Sequence, residues 1–138
     1  MIRLFKTQAD FYKATFRENI ADFRRATFHG YVDFSKATFA QGASFESSVF
    51  FKHVSFWQAY FINYRPAFAW RSSKARFSVY MDQQDSNFMV REDSQPIPMG
   101  TTALDGLRYC IPVGTVLFDP ASWDEQQKEY TRLSEPAQ

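Results

Sequence analysis

Phenylalanine recurs through the first half of this chain at intervals of five or six residues, with a single interval of seven. The residue two positions before each of these phenylalanines is Ala in seven cases and Val or Ser in the other three. The positions between them are mostly polar. Such a series marks an internal repeat, and a repeat decides the fold class before any other feature does. The series is Phe11, Phe16, Phe23, Phe28, Phe34, Phe39, Phe45, Phe50, Phe56 and Phe61.

The spacing disfavours an amphipathic helix and favours a stack of very short strands. Steps of five and six residues rotate a helix by about 140° and 240°, so successive phenylalanines would lie on different faces. A meander of hairpins needs tight turns, and neither Asn-Gly nor Asp-Gly occurs between residues 9 and 65. In a β-solenoid, each Phe and the small residue two before it point inward together. Successive coils then stack at roughly 4.8 Å, and like residues form ladders.

The repeat resembles the pentapeptide-repeat family, whose motif is Ala-(Asp/Asn)-(Leu/Phe)-x-x. The resemblance covers about residues 5 to 70. It implies an all-β fold, a right-handed quadrilateral β-helix with four units per coil. The clearest copies are Ala9-Asp10-Phe11-Tyr12-Lys13, Ala14-Thr15-Phe16-Arg17-Glu18 and Ala21-Asp22-Phe23-Arg24-Arg25, continued by Ala26-Thr27-Phe28 and Ala37-Thr38-Phe39.

Four units per coil, at the spacing found here, give coils of 22 residues, with 23 in the first. The family's strict spacing is five, so this chain carries an added residue at alternate corners. The predicted ladders are Phe11/Phe34/Phe56, Phe16/Phe39/Phe61, Phe23/Phe45 and Phe28/Phe50.

The pattern decays after Tyr64, which divides the chain into a repeat domain, residues 1–65, and a C-terminal region, residues 66–138. Residues 82–98 are polar and predict a loop or strap. An open solenoid end exposes backbone groups and core side chains. We therefore expect residues 66–138 to cap the last coil or to dock against a second copy of the chain.

Two signals predict the elements of this C-terminal cap. Asp105-Gly106 lies between runs that contain apolar residues and predicts a β-hairpin. Ser122 with Glu125 forms a capping box, and together with Asp124 it predicts a short helix near the C-terminus.

Composition restricts the function more than it identifies it. The chain has 16 Lys and Arg against 15 Asp and Glu, a net charge of +1, which disfavours direct nucleic-acid binding. Cys110 is the single cysteine, so an intrachain disulfide is impossible and a reducing, cytoplasmic location is expected. No apolar run is long enough to span a membrane. Phosphate loops, nucleophile elbows and zinc spacings are missing, so no catalytic residue, cofactor or metal is predicted.

Seven residues are the candidates for partner binding. Five basic side chains could form one patch, with solvated solenoid corners as the alternative. Two outward aromatics, together with Tyr12 and Tyr60, could bind a partner or be covered by residues 66–138. The candidates are Lys13, Arg17, Arg24, Arg25, Lys36, Phe51 and Trp57.

The predicted function is a non-enzymatic protein–protein interaction or structural module, with an unidentified protein or a second copy as partner. Some pentapeptide-repeat proteins mimic DNA and bind DNA gyrase, a role that requires an acidic surface. Residues 1–65 hold nine basic and five acidic groups, a net charge of +4, which disfavours this alternative. Residues 66–138 carry −3.

A third hypothesis is a small enzyme whose pocket is formed by residues of the C-terminal region. The carboxylates of the repeats need no catalytic role, because the motif itself prefers Asp at that position. The pocket residues of this hypothesis are Asp105, Arg108, Tyr109 and Cys110, and the repeat carboxylates are Asp10, Asp22 and Asp33.

Overall fold

The computed structural model describes residues 4–81, 84 and 86–138, whose regular secondary structure is almost entirely short β-strands joined by turns. The first eleven strands hold two residues each: β1 (Leu4–Phe5), β2 (Ala9–Asp10), β3 (Thr15–Phe16), β4 (Ala21–Asp22), β5 (Thr27–Phe28), β6 (Val32–Asp33), β7 (Thr38–Phe39), β8 (Ala43–Ser44), β9 (Val49–Phe50), β10 (Val54–Ser55) and β11 (Tyr60–Phe61). The later strands are β12 (Ala69–Trp70), β13 (Ser73–Lys74), β14 (Arg76–Ser78), β15 (Met99–Leu104), β16 (Leu107–Pro112), β17 (Val116–Phe118), β18 (Trp123–Asp124) and β19 (Glu129–Tyr130).

Parallel pairing stacks thirteen of these strands into the four faces of a β-solenoid of about three turns. Face 1 is β1-β5-β9-β14-β17, face 2 is β2-β6-β10, face 3 is β3-β7-β11 and face 4 is β4-β8. Leu4 pairs with Thr27, and Thr27 pairs with Val49. These partners are 23 and 22 residues apart, so the predicted coil lengths are confirmed.

All four predicted phenylalanine ladders are present, with stacked ring centroids 4.7 to 5.3 Å apart. The ladders also extend beyond the regular series. Phe5 stacks on Phe28, Phe68 on Phe45 and Phe77 on Phe50 at 4.9 to 5.0 Å, and Phe88 stacks on Phe56 at 5.9 Å.

Rings from faces 2 and 4 also meet across the core. Phe23 meets Phe34 edge-to-face at 5.3 Å, and Phe45 meets Phe56 at 5.6 Å. Ala26 and Ala37, each two residues before a Phe, are fully buried. Because four rings per coil already fill the section at close packing, only small side chains fit beside them.

The five-residue steps turn through residues with left-handed backbone. At the first such corner, the Ala14 N–H donates to the Phe11 carbonyl at 3.0 Å and closes a β-turn. A positive φ at the third residue of a turn normally favours Gly, yet no glycine occupies these positions. The residues are Lys13, Arg25, Lys36, Ser47 and Gln58, with φ between 59° and 63°.

The motif's acidic position has a structural role in the turn. Oδ1 of Asp10 accepts the backbone N–H of Tyr12 at 3.0 Å. Asp22 and Asp33 accept the N–H two residues on in the same way, and Ser55 uses its hydroxyl oxygen for this bond. Short polar side chains form this local bond readily, which explains their preference at this position.

Beyond Phe68 the chain continues along the path of the coil, interrupted first by a short hairpin. The β12–β13 hairpin lies between faces 4 and 1. The segment predicted as a loop or strap binds along the last coil, where the Asn87 N–H donates to Val54 and the Gln95 N–H donates to Phe61. Residues 82, 83 and 85 of that prediction lie outside the described residues.

The C-terminal end of the solenoid is covered by the chain itself. β15 and β16 pair as a hairpin whose turn residues, Asp105 and Gly106, both have positive φ. Tyr109 and Ile111 on β16 are buried in the same hydrophobic core as the ladders. Leu117 on β17 pairs with Phe77 and is fully buried.

The predicted C-terminal helix is wrong. A single 3-10 turn, Pro120–Ser122, capped by Asp119, leads into the β18–β19 hairpin. The rings of Trp123 and Tyr130 lie 4.9 Å apart in that hairpin, and Tyr130 lies 4.6 Å from Phe118. This aromatic packing outweighs the capping box, because a local cap contributes only about 1 kcal/mol. The described residues contain no α-helix that could cross a membrane.

A charge in the middle of a ladder is expected to prevent folding. Phe39 is fully buried between Phe16 and Phe61. Loss of the ring alone costs about 3–5 kcal/mol, and Phe39→Asp adds an unpaired buried charge. Circular dichroism and urea unfolding measure the effect. The exposed control, Lys36→Ala, should stay within about 0.5 kcal/mol of the parent. A folded Phe39→Asp variant with unchanged melting would contradict the inward assignment.

Replacing serine by glycine should have opposite effects on stability at a left-handed corner and in a strand. Ser47→Gly relieves a left-handed strain of roughly 1–2 kcal/mol, offset by a backbone entropy cost of roughly 0.5–1 kcal/mol. We therefore expect this variant to be more stable by up to about 1 kcal/mol in urea unfolding. Ser44→Gly, in the extended backbone of β8, is the matched control and should lose roughly 0.5–1 kcal/mol. Equal changes at both sites would refute the role of backbone strain.

Candidate interaction surface

The two ends of the solenoid differ in how well their core rings are covered. Phe5, Phe11 and Phe16 in the first coil are only partly buried. The rings stacked on them, such as Phe28 and Phe34, are fully buried. One neighbouring coil covers only one side of a ring. We name the first coil, residues 4–25, the open end.

The backbone of the open end is hydrogen-bonded toward the second coil. The Ala9 N–H donates to Tyr31 at 2.9 Å, and the His29 N–H donates to Phe5 at 2.8 Å. Strands β1 to β4 stand at the edges of their sheets. Within the described chain, no strand pairs with their outer side. A row of such edge groups is a template for another strand.

Charged side chains surround the exposed rings of the open end. Five exposed basic groups form what we name the basic rim. The acidic groups of the same coil are Asp10, Glu18 and Asp22, so residues 4–25 carry a net charge of +2. Asp22 is paired with Arg24 at 2.9 Å. The basic rim consists of Lys6, Lys13, Arg17, Arg24 and Arg25.

The five basic candidates from the sequence lie on several corners of the solenoid. Lys13 and Lys36 occupy the same left-handed corner in successive coils. Arg17 follows face 3, whereas Arg24 and Arg25 follow face 4. They do not share one lateral face, but all except Lys36 belong to the open end.

The two aromatic candidates have different environments. Phe51 stacks on His29 at 4.5 Å and meets Phe118 edge-to-face at 5.3 Å, so the C-terminal region partly covers it. Trp57 keeps 43% of its surface exposed, and the Lys36 ammonium lies 5.4 Å from its ring centroid. Trp57 therefore belongs to an exposed lateral surface, and Phe51 belongs to a packed one.

The residues of the enzyme hypothesis lie on different sides of the β15–β16 hairpin. Tyr109 points to the core, and its hydroxyl donates to the Val79 carbonyl. Arg108 and Cys110 alternate with it and are exposed. Asp105 forms an ion pair with Arg132. The hairpin thus separates Tyr109 from the other three.

The sequence reasoning missed the exposed rings at the open end. Phe5 does not match the repeat pattern, because Arg3 rather than a small residue lies two positions before it. Leu4 beside it is 54% exposed. A signal existed: a solenoid exposes core side chains at both of its ends, and the prediction from the sequence concerned the C-terminal end alone.

Comparison with known proteins identifies the repeats. Residues 4–38 and 23–63 match the family model described as pentapeptide repeats (9 copies). The repeat array belongs to the pentapeptide-repeat family. No curated protein and no solved structure matched the chain.

The pentapeptide array carries one strongly shifted carboxyl group. The hydrogen bond from the Arg24 side chain, 2.9 Å from Asp22, lowers the pKa of Asp22 from 3.8 to about 2. The Arg24–Asp22 pair therefore stays ionised at the edge of the open end, and it reduces the free negative charge there.

Acidification should weaken this pair in a defined pH window. The folded pKa lies below the unfolded value of 3.8, so the stabilisation is present above that value and is lost as the pH falls toward 2. The Asp22 side chain is 40% exposed, so solvent screening keeps the effect below about 1 kcal/mol. Urea unfolding of the parent and Asp22→Asn should converge between pH 4 and pH 2. A constant difference across that window would contradict the assignment.

Proposed function

We propose that this chain is a non-enzymatic interaction module that binds a partner protein at the open end of its pentapeptide solenoid. One observation carries the proposal: the chain covers its C-terminal coil, while the rings of Phe5, Phe11 and Phe16 remain partly exposed. Exposed core rings beside sheet-edge strands are a feature that soluble β-proteins normally cover.

The open end has the anatomy of a binding interface. Partly exposed rings form an apolar centre, and charged side chains surround it, as in protein interfaces with an apolar core and a polar rim. The outer sides of β1 to β4 can accept an added strand through main-chain hydrogen bonds. Because stacked rings fix the solenoid, little conformational entropy is lost on docking.

Charge selects the class of partner. The open end carries a net charge of +2, so it favours a protein segment with acidic groups around an apolar, extended centre. A second copy would oppose the basic rim with an identical rim, and like charges across an interface cost affinity. We therefore favour a different, acidic protein over a homodimer. The sign is also opposite to that of a DNA mimic.

A display selection tests this proposal. A library of proteome-derived peptides is selected on the immobilised full chain, and the enriched peptides are measured by biolayer interferometry. We expect extended apolar segments flanked by Asp or Glu. Lys13→Glu combined with Arg17→Glu should weaken them by roughly tenfold, since tenfold corresponds to about 1.4 kcal/mol.

The matched control is Lys52→Glu combined with Arg108→Glu. Both residues are exposed; Lys52 follows β9, and Arg108 lies on β16 in the C-terminal cap. Peptides that lose affinity equally for both double variants would refute docking at the open end. Light scattering should give a monomer of 16.2 kDa. If light scattering instead gives a dimer, and only the variant with Lys13→Glu and Arg17→Glu dissociates it, then a second copy of the chain occupies the open end.

A further inference from the structure

The sulfur-containing side chains of the described chain converge on one place. A cavity of about 270 Å³ lies between the last coil and the β15–β16 hairpin. The sequence has four methionines and one cysteine, and Met1 lies outside the described residues. Every other sulfur-bearing residue lines this cavity, together with Ser86 and Phe88. These residues are Met81, Met89, Met99 and Cys110.

Three separate parts of the fold deliver these residues. Met81 follows β14, where its N–H donates to Ser78 at 2.9 Å. The carbonyl of Met89 accepts the N–H of Gln58, which ties this segment to face 2. In the hairpin, Cys110 pairs with Thr101 and Met99 lies two residues before that partner. Met99 and Cys110 therefore share one side of the hairpin, as diagonal neighbours within side-chain reach.

Packing alone explains only part of this arrangement. Met81 is 3% exposed and fills the core, as methionine often does. Met89 is 73% exposed, so its thioether contributes little to the core. Met81 therefore provides a buried thioether to the cavity, whereas Met89 provides an exposed thioether and Cys110 an exposed thiol.

We propose that this cavity is a binding site for a soft monovalent metal ion, Cu(I). Thioether and thiolate ligands select Cu(I), whereas carboxylate and carbonyl oxygens suit magnesium, calcium and manganese. Structural zinc normally takes four Cys or His ligands, and the described lining offers a single thiol. On binding, the Cys110 thiol gives its proton to solvent and its sulfur bonds to the ion, with no change in oxidation state.

The cavity also suits a low-coordinate ion. Phe88 forms part of the wall, and its ring stacks on Phe56 at 5.9 Å and meets Phe77 edge-to-face. This ring fixes an apolar side of the cavity, which disfavours a strongly hydrated divalent cation. Flexible methionine side chains can adjust to the ion's preferred geometry.

An anaerobic titration tests the site. The full chain, reduced, competes for Cu(I) with the chromogenic chelator bicinchoninate. We expect one Cu(I) per chain and an X-ray absorption shell of sulfur only. Cys110→Ser and Met99→Leu should each weaken binding by at least roughly tenfold, because loss of a ligand should cost no less than loss of an outer-shell partner of a ligand. Ser86→Ala alters the same cavity, keeps every sulfur atom and should bind as the parent does.

Two results would overturn the proposal. One is the failure of the parent chain to take Cu(I) from the chelator. The other is binding that both sulfur variants retain. A measurement on the parent chain keeps the test valid if the variants misfold. Ag(I), a redox-inert analogue of Cu(I), should slow the alkylation of Cys110 and the peroxide oxidation of Met89. Mass spectrometry follows both reactions. Unchanged rates with Ag(I) would equally refute the site.

Discussion

Stacking of phenylalanine on phenylalanine is the interaction on which the other features of this structure depend. Rings repeat at about 5 Å, as in the Phe16/Phe39/Phe61 ladder, and this distance is close to the spacing of hydrogen-bonded strands. The backbone ladder and the ring ladder therefore reinforce each other, coil after coil. A slip of one residue within a strand would move its ring to the outside. The first coil has 23 residues and the second has 22, so the extra residue must be accommodated at a corner, where it leaves the strand register unchanged.

Keeping that register requires a strained corner, and the chain stabilises it locally. Lys36 holds a positive φ of 59°, a conformation that costs a non-glycine residue roughly 1–2 kcal/mol. Asp33 accepts the N–H of Ser35 inside the same corner at 2.8 Å, and the Ala37 N–H closes the turn at 3.1 Å. The motif's Asp is thus part of the architecture. Asp10 and Asp22 accept the equivalent backbone N–H at their own corners, so their presence needs no catalytic explanation.

The sequence predicted features that follow from periodicity and missed features that follow from tertiary packing. The ladders and coil lengths depend only on spacing, so they could be predicted. The left-handed corners carry Lys, Arg, Ser or Gln and give no glycine signal. The capping box at Ser122 is a local signal, and packing of Tyr130 on Phe118 outweighs it. The sulfur cavity joins residues up to 29 positions apart, Met81 to Cys110, which no local pattern reveals.

The open end and the sulfur cavity lie at opposite ends of one ladder. Phe11 belongs to the open end, Phe34 and Phe56 follow it, and Phe88 forms a wall of the cavity. In a solenoid each coil contacts only its neighbours, so a local change decays from coil to coil. Two fully buried rings separate the two surfaces. A ligand at one surface and a partner at the other can therefore bind without contact, each held by the same rigid stack.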